Sequence, residues 1–458
     1  MTEKLAVQVF RNEVVRYHLP VLKLVDKNMY NISVSSRILF FVGATLLMFF
    51  YIYQCNFAFI GIPHQLHSSR LACVFFIIWA GLKGKNKNDI YDRCVVRNIK
   101  KNIIFFIILL VYSFLLVSLY GMGDGLNIST QLINIFLFGF TALWAWNRIF
   151  DSFDDIMRTL LYVGIMQSFF ICLCLASPSF SSMLDITLNA TEERDFFEMQ
   201  IRRDNYAGGV GCIAAPGLIR YSVSMVAAVY VYCKKKHLLS LATYIYLGIV
   251  GMMIARTGLI MFAISMVFLL FMSSKNKRII STSLILLLFG ILIVNIVDTG
   301  KYDSFISERF KRYISLSEDR GEEFFTDYFS GENTVIPPLN SDTFWGGGVI
   351  SGTSGNGYTV HVDGGFLRLY AAIGVLGVFL FYFFNVKYMF KASSNIKERN
   401  VQLTCLLFLL ILLIGETKEN VLIMGWSVSL YYASVLCAYK SHRNNEQKRL
   451  YLNRQWKL

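Results

Sequence analysis

Long apolar runs dominate this chain, and shorter polar intervals separate them. Most runs are about 20 residues long, the length at which an α-helix crosses the hydrocarbon core of a bilayer. The pattern therefore predicts an all-α polytopic membrane protein with about 12 transmembrane helices. The predicted spans are residues 38–58, 68–83, 102–121, 129–147, 157–176, 213–233, 238–255, 257–273, 279–297, 366–387, 400–415 and 421–438.

Lys and Arg concentrate in alternate intervals between these spans. The interval "GLKGKNKNDIYDRCVVRNIKK" after the second span and the tail "KSHRNNEQKR" after the last one are examples. Cytoplasmic loops of membrane proteins carry the excess of basic residues. The alternation therefore predicts that both termini are cytoplasmic.

Two long polar intervals then fall on the outer side, at residues 177–212 and 298–365, within a single membrane domain of residues 1–458. Loops longer than about 15 residues usually have a function or lack order. In the second interval, aromatic residues such as Phe305 and Phe310 recur near helical spacing, which predicts one or two amphipathic helices on the outer face. The interval continues into "WGGGVISGTSGNGY", a Gly-rich region able to bring backbone close to a ligand.

The composition agrees with this class, since 55% of the residues are hydrophobic, 16% are charged and the mean hydropathy is +0.50. That balance excludes an ordinary soluble protein. The net charge of +14 fits basic cytoplasmic intervals and requires no nucleic-acid partner. Because the chain has no Walker A loop, no CxxC spacing and no outer DxD motif, we expect neither a cofactor nor a metal. No early apolar region follows the basic N-terminal residues, so no cleaved signal peptide is predicted.

Six of the cationic side chains on the predicted outer side are candidate ligands for a phosphate. A charge inside or beside a span is costly and usually has a partner or a task. Arginine offers phosphate a planar, bidentate fork, and lysine offers it a point charge, so this group would suit a lipid-linked diphosphate. Alternatively, each arginine reaches to the interface or pairs with a carboxylate, and Lys418 belongs to a solvated turn. The six are Arg202, Arg203, Arg220, Arg256, Arg368 and Lys418.

His361 and Asp363 stand in "HVDGG", at the predicted outer mouth of the tenth span. Either side chain could take a proton from a sugar hydroxyl, or the carboxylate could orient that hydroxyl. The alternatives are that Asp363 is the N-cap of the following helix and that His361 is a surface residue.

The order of these features resembles the O-antigen and polysaccharide polymerases (Wzy type) and the related O-antigen ligases. A middle loop carries arginines, a short hairpin carries another, and a large loop ends in an H/D motif before a Gly-Gly helix. The resemblance rests on "RRDNYAGGVGCIAAPG", "ARTGLIMF", "HVDGGFLRLYAAIGVLG" and "GETKE", and it covers residues 155–425. The preceding spans match only in topology.

One departure from the family pattern bears on the site. Ligases of this superfamily characteristically have a His, an apolar residue four positions later and a Gly eleven positions later. Asp363, Leu367 and Gly374 fill those positions here, and His361 lies two residues earlier. The acid favours the polymerase branch and leaves the proton acceptor open between Asp363 and His361. The middle loop also lacks the Arg-x10-Gly pattern of some polymerases, which weakens the assignments of Arg202 and Arg203.

The resemblance implies a helical, GT-C-like membrane glycosyltransferase without a metal or cofactor. Such an enzyme joins undecaprenyl-diphosphate-linked oligosaccharide repeats into O-antigen or a related polysaccharide at the periplasmic face of the bacterial inner membrane, within lipopolysaccharide biosynthesis. The implied partners are the lipid-linked substrate, the bilayer, a chain-length regulator and the flippase of the pathway. The implied catalytic residues are Asp363 and His361, and the implied diphosphate ligands are Arg220, Arg256, Arg202, Arg203, Arg368 and Lys418.

Two other functions stay open. An O-antigen ligase performs the same transfer with lipid A core as the acceptor. A lipid-linked oligosaccharide flippase or another transporter also commonly has about 12 spans, but prefers polar groups at the membrane midplane. The two long outer loops and the nearly charge-free spans favour the enzyme.

Overall fold

The structure is a computed structural model that describes residues 36–56, 67–83, 93–121, 126–189, 208–211, 214–235, 237–255, 257–272, 344–353, 359–360 and 364–455. The described part is mostly helical. Its α-helices are α1 (Ser36–Ile52), α2 (Ser68–Lys83), α3 (Arg93–Tyr120), α4 (Ile128–Asn134), α5 (Thr141–Ile149), α6 (Phe153–Ala176), α7 (Pro178–Leu184), α8 (Ala214–Lys234), α9 (Leu238–Ile254), α10 (Thr257–Met272), α11 (Gly365–Ser394), α12 (Arg399–Gly415) and α13 (Gly425–Gln455). Turns of π-helix occupy Ile135–Phe140 and Asp185–Asn189, and a 3-10 turn occupies Val421–Ile423.

Four of these helical stretches are long and apolar enough to cross a membrane by length and composition. They are Val95–Tyr120, Ile128–Ile149, Phe153–Ala176 and Gly365–Ser394, and shorter apolar helices accompany them. The chain therefore has the helices of a membrane protein. Each predicted span except residues 279–297 overlaps a described helix, and four of the described stretches have the length and composition of a full span. That span, and residues 298–343 with the predicted amphipathic helices, lie outside the described residues.

Helix α8 packs against α6, α9, α10 and α12, so it stands in the middle of one half of the bundle. Small residues permit the close approach of these helices. A Cβ atom at Gly164 of α6 would lie 2.4 Å from the Cβ atom of Ser224 on α8. The side chains of Tyr221 and Val226 on α8 are fully buried, and they extend the apolar core between the neighbouring helices.

A small antiparallel sheet, which the sequence pattern does not predict, lies at one end of the bundle. Strand β1 (Leu126–Asn127) pairs with β2 (Val349–Thr353), which pairs with β3 (Thr359–Val360). In this register Gly352 lies opposite Val360. Strands this short give no recognisable alternation of polar and apolar residues, so sequence periodicity misses them. We call this end of the bundle the sheet end.

The Gly-rich stretch before β2 lies against an interruption in α11. Gly374 has a φ of 72° and a ψ of 177°, which breaks the helix. The backbone N–H groups of Gly347 and Gly348 donate to the carbonyl oxygens of Ala371 and Ala372, at 2.7 and 2.9 Å. The broken turn therefore keeps hydrogen-bond partners. The sequence predicts that the backbone of this stretch can come close to a ligand. In the structure the backbone of Gly347 and Gly348 comes close to helix α11.

Two ion pairs lie at the end of the bundle opposite the sheet end. Lys83, the last residue of α2, pairs with Asp151 at 2.7 Å. Lys234, the last residue of α8, donates to Asp154 at the start of α6, also at 2.7 Å. Helices α2 and α8 therefore start at the sheet end and finish at the opposite end, whereas α6 runs the other way. This arrangement agrees with the alternation of helix directions that the charge pattern predicts.

Candidate functional site

The described cationic residues of the predicted site lie together at the sheet end. Arg220 belongs to the first third of α8, Arg368 to the first turn of α11, and Lys418 to the turn after α12. The remaining predicted site residues lie outside the described residues, so their assignments stay predictions. These are Arg202, Arg203, Arg256, His361 and Asp363.

Arg220 is half-buried and is held by two neighbouring segments. Its Nη1 group donates to the carbonyl oxygen of Gly211 at 3.2 Å. Its Nη2 group donates to Oε1 of Gln54, just beyond α1, also at 3.2 Å. Both of these acceptors are neutral groups.

The segment around Gly211 is fixed to the chain just after α1 and to the second half of α6. Gln167 of α6 donates to the carbonyl oxygen of Val210 at 3.1 Å. Gly211 has a φ of 54°, and a Cβ atom there would lie 2.9 Å from the carbonyl oxygen of Tyr53. Glycine suits this position because its backbone is left-handed and because another backbone lies so close. The acceptor for Arg220 therefore belongs to a packed segment.

A second polar cluster joins the start of α11 to the turn after α12. We call it the acid cluster, and it consists of Arg368, Tyr382, Glu416 and Glu419. Glu416 is fully buried, and its Oε1 and Oε2 atoms meet the backbone N–H of Leu422 and the hydroxyl of Tyr382. Arg368 pairs with Glu419 at 3.2 Å, and both side chains are largely buried.

These contacts bear on two of the alternatives raised by the sequence. Arg368 does pair with a carboxylate, and the partner is Glu419. The turn "ETKEN" is not simply solvated, because Glu416 is fully buried and Asn420 is 8% exposed. Lys418 is half-buried in the same turn, and its backbone N–H donates to the carbonyl oxygen of Gly415 at 3.0 Å.

The two motifs "HVDGG" and "GETKE" meet at Gly365. A Cβ atom at Gly365 would lie 2.4 Å from the carbonyl oxygen of Glu419 and 2.7 Å from that of Glu416. The N-cap of α11 is Gly364, with a φ of 135°, and not Asp363, which precedes it. The second glycine of "HVDGG" is therefore explained by contact between two backbones.

The Arg220 region and the acid cluster are neighbours through the helices that carry them. A Cβ atom at Gly415, the last residue of α12, would lie 3.0 Å from Cγ2 of Ile219 on α8. Ile219 precedes Arg220, and Gly415 precedes Glu416. The structure thus brings together two regions that lie almost 200 residues apart in the sequence.

The tight turn between α9 and α10 also belongs to this end of the bundle. Helix α9 ends at Ile254 and α10 begins at Thr257, and the N–H of Gly258 donates to the carbonyl oxygen of Ala255 at 2.9 Å. A Cβ atom at Gly251 of α9 would lie 3.4 Å from Cε1 of Tyr221, the residue after Arg220. A short turn, as predicted, is therefore present, although Arg256 itself lies outside the described residues.

The sequence pattern assigned a role to Lys418 in the final outer turn "GETKEN" and none to Glu416 in the same turn. Burial raises the pKa of Glu416 to about 8, with a further rise from the negative charge of Glu419. The available signal was an acid directly after an apolar span, where ionisation is costly. Nothing in the sequence marks Tyr382 as the partner of Glu416, or Gln54 as the partner of Arg220. Both contacts depend on the tertiary fold.

Comparisons with protein-family models, with curated proteins and with solved structures found no match.

Proposed function

We propose that this chain is a metal-independent membrane glycosyltransferase that polymerises undecaprenyl-diphosphate-linked oligosaccharide repeats into O-antigen or a related polysaccharide. In this proposal the sheet end faces the periplasm and the chain resides in the bacterial inner membrane. The observation that carries it is the contact between Ile219 and Gly415, which makes Arg220 a neighbour of the acid cluster. Cations at one end of an otherwise apolar bundle suit a substrate with an anionic head group and a lipid tail.

The reaction needs stabilisation of the departing diphosphate. A hydroxyl of the incoming repeat attacks the anomeric carbon of the growing chain, and the bond between that carbon and the diphosphate oxygen breaks. The leaving group takes the bonding electrons, so negative charge develops on the lipid diphosphate. Preorganised cations are an effective stabiliser of such charge. We assign this task to Arg220, Arg256, Arg202, Arg203, Arg368 and Lys418.

The attacking hydroxyl must also lose its proton, and a positioned base assists this step. The sequence offers Asp363 and His361, immediately before α11. Gly365 of the same motif packs against the turn that holds Lys418. This contact supports placing the acceptor sugar next to the cationic groups. Further proposed partners are a chain-length regulator and the flippase that supplies the lipid-linked repeat.

The distribution of buried acids favours an enzyme over a transporter. A transporter for a lipid-linked glycan would place polar binding groups near the membrane midplane. The buried acidic residues in the described part of the chain are Asp185 and Glu416. Asp185 follows α7, which begins where α6 ends, and Glu416 follows α12, so both lie at the sheet end.

Purified protein in lipid nanodiscs, incubated with one defined undecaprenyl-diphosphate-linked repeat, tests the proposal. Products are released from the lipid and sized. A ladder of multiples of the repeat supports a polymerase. A single addition that occurs only when lipid A core is present indicates a ligase, and movement of unchanged substrate across a vesicle bilayer indicates a transporter.

A further inference from the structure

Glu416 is a fully buried carboxyl group at the boundary between α12 and the turn that follows it. The backbone N–H of Leu422 donates to Oε1, and Oε2 lies 2.8 Å from the hydroxyl oxygen of Tyr382 on α11. One carboxyl oxygen is therefore engaged by the turn itself and the other by a neighbouring helix.

The charged groups nearby provide no counter-ion for Glu416. Arg368 on α11 pairs with Glu419, and the charge of Glu419 opposes ionisation of Glu416. Lys418 belongs to the same turn and Arg220 lies on the adjoining helix α8, yet none of the ion pairs between described residues includes Glu416. An unpaired carboxylate in a site closed to water is costly, and a neutral acid is not.

Both hydrogen bonds are donated to the carboxyl group, since the N–H of Leu422 donates to Oε1 and the hydroxyl of Tyr382 donates to Oε2. Such donors favour the ionised form and lower the pKa of Glu416, but burial without a counter-ion outweighs them. Burial raises the pKa of Glu416 from its ordinary value of 4.5 to about 8, which keeps the acid largely protonated at neutral pH.

The turn that Glu416 holds supports the first turn of α11. Gly365 leaves no room for a Cβ atom between its own backbone and the carbonyl oxygens of Glu416 and Glu419. Arg368, three residues later, is tied to the same turn through Glu419. A displacement of the turn would therefore move Arg368.

We propose that Glu416 acts as a neutral hydrogen-bonding acid that, together with Tyr382, positions Arg368 and the start of α11 for the substrate diphosphate. This inference rests on the proposed function for the identity of the ligand. Glu416 is a positioning residue, since its described contacts are with a helix and a turn.

Three substitutions of Glu416 test which properties of this side chain are needed: its neutral state, its length and its two hydrogen bonds. Glu416→Gln keeps the length and neutrality of the side chain. Its amide oxygen can accept the N–H of Leu422, and its N–H can donate to the hydroxyl oxygen of Tyr382, which is able to accept as well as to donate. Glu416→Asp keeps the acid but is one methylene shorter, and Glu416→Ala removes both contacts. We expect Gln to keep polymer formation within about twofold of wild type at pH 7, and Asp and Ala to reduce kcat about 10- to 100-fold, because small misplacements have effects of that size.

The pH dependence of kcat distinguishes a neutral positioning acid from a residue that only stabilises the fold. Above pH 8 the wild-type acid ionises in the folded state, so kcat should fall there, and Glu416→Gln should not show this fall. Hydrogen exchange of residues 368–373 in the full protein, expressed as protection factors, should show the same difference. Tyr431→Phe is the control, since Tyr431 is a buried tyrosine that donates to Met389 near the other end of α11. It should leave the pH profile unchanged.

The inference is overturned if folded Glu416→Gln is as inactive as Glu416→Ala, because the charge would then be required. It is also overturned if Glu416→Asp behaves as wild type, or if protection of residues 368–373 is equally dependent on pH in wild type and Glu416→Gln. The exchange measurement needs no turnover. If wild-type protein makes no polymer at all, the proposed function fails, whereas exchange still decides whether Glu416 holds α11 as a neutral acid.

Discussion

Ile219 on α8 packs against Gly415 at the end of α12, where a Cβ atom on the glycine would lie 3.0 Å from Cγ2 of the isoleucine. The same Cβ atom would lie 2.9 Å from Cγ2 of Val421, in the turn that follows α12. The glycine thus sets the distance between Arg220 and the acid cluster. It links the packing of the helices directly to the geometry of the candidate site.

Gly415→Ala should therefore separate the two helix ends. Overpacking of a tight contact typically costs about 1–3 kcal/mol, and we expect a loss of stability in that range together with reduced polymer formation. Thermal unfolding in detergent and product sizing measure the two effects. Gly81→Ala is the control, because nothing lies within 4 Å of a Cβ atom there. Equal behaviour of the two variants would contradict the role given to Gly415.

Arg220→Lys tests whether the fork of the arginine matters beyond its charge. The guanidinium reaches both Gly211 and Gln54, whereas a lysine ammonium is a single compact charge. Loss of a cation positioned for a developing charge typically costs about 100- to 1000-fold in kcat, and we expect the lysine variant to lose most of that. Steady-state kinetics on a lipid-linked repeat measures it.

Arg148→Lys is the matched control for this substitution. Arg148 lies at the opposite end of the bundle, 4.3 Å from the ring centre of Trp144. Its replacement should leave kcat unchanged. If Arg220→Lys is also fully active, the bidentate fork of Arg220 is not required and a positive charge at this position is sufficient.

Asp363→Asn and His361→Ala, compared side by side, identify the group that serves the acceptor hydroxyl. Spacing to Leu367 and Gly374 favours Asp363 on the family resemblance. Removal of a general base typically lowers the rate about 100- to 10,000-fold, and we expect a loss of that size from Asp363→Asn. His361→Ala should have the smaller effect. Full activity in both variants would make this stretch a linker to α11.

Reporter fusions test the orientation of the chain. Fusions after residues 90, 190 and 330 should report the cytoplasm only for the first, since the basic intervals predict cytoplasmic termini. Alkaline phosphatase and green fluorescent protein give opposite signals on the two sides. A periplasmic signal at residue 90 would reverse the orientation and remove the sheet end from the periplasm.

The helices were predictable from the sequence where apolar length alone decides them. The prediction of residues 68–83 coincides with α2. Helix α13 continues to Gln455, beyond the predicted end at 438, because its polar tail is helical and hydropathy detects only the apolar part. Helix α1 ends at Ile52, before the predicted end at 58, since Ser68 accepts the N–H of Cys55 at 2.7 Å and turns the chain toward α2.

The candidate site was predictable only as a set of cations on one side. Arg220, Arg368 and Lys418 do share the sheet end, because alternating helices return every second polar interval to the same end of the bundle. Their pairing was not predictable. The bond between Arg368 and Glu419, and the burial of Glu416, depend on how α11 packs on the turn after α12. No local pattern in the sequence encodes that packing.

The most direct test of the central claim is the size distribution of products that purified wild-type protein and Arg256→Ala form from one defined undecaprenyl-diphosphate-linked repeat. In the sequence Arg256 falls between two predicted spans, residues 238–255 and 257–273, where a charge is costly and usually has a partner or a task. We predict a ladder of many repeats and release of lipid diphosphate with wild type, and neither with Arg256→Ala, although the variant remains in the membrane. A complete absence of polymer with wild type, or an unchanged ladder with Arg256→Ala, would contradict the account.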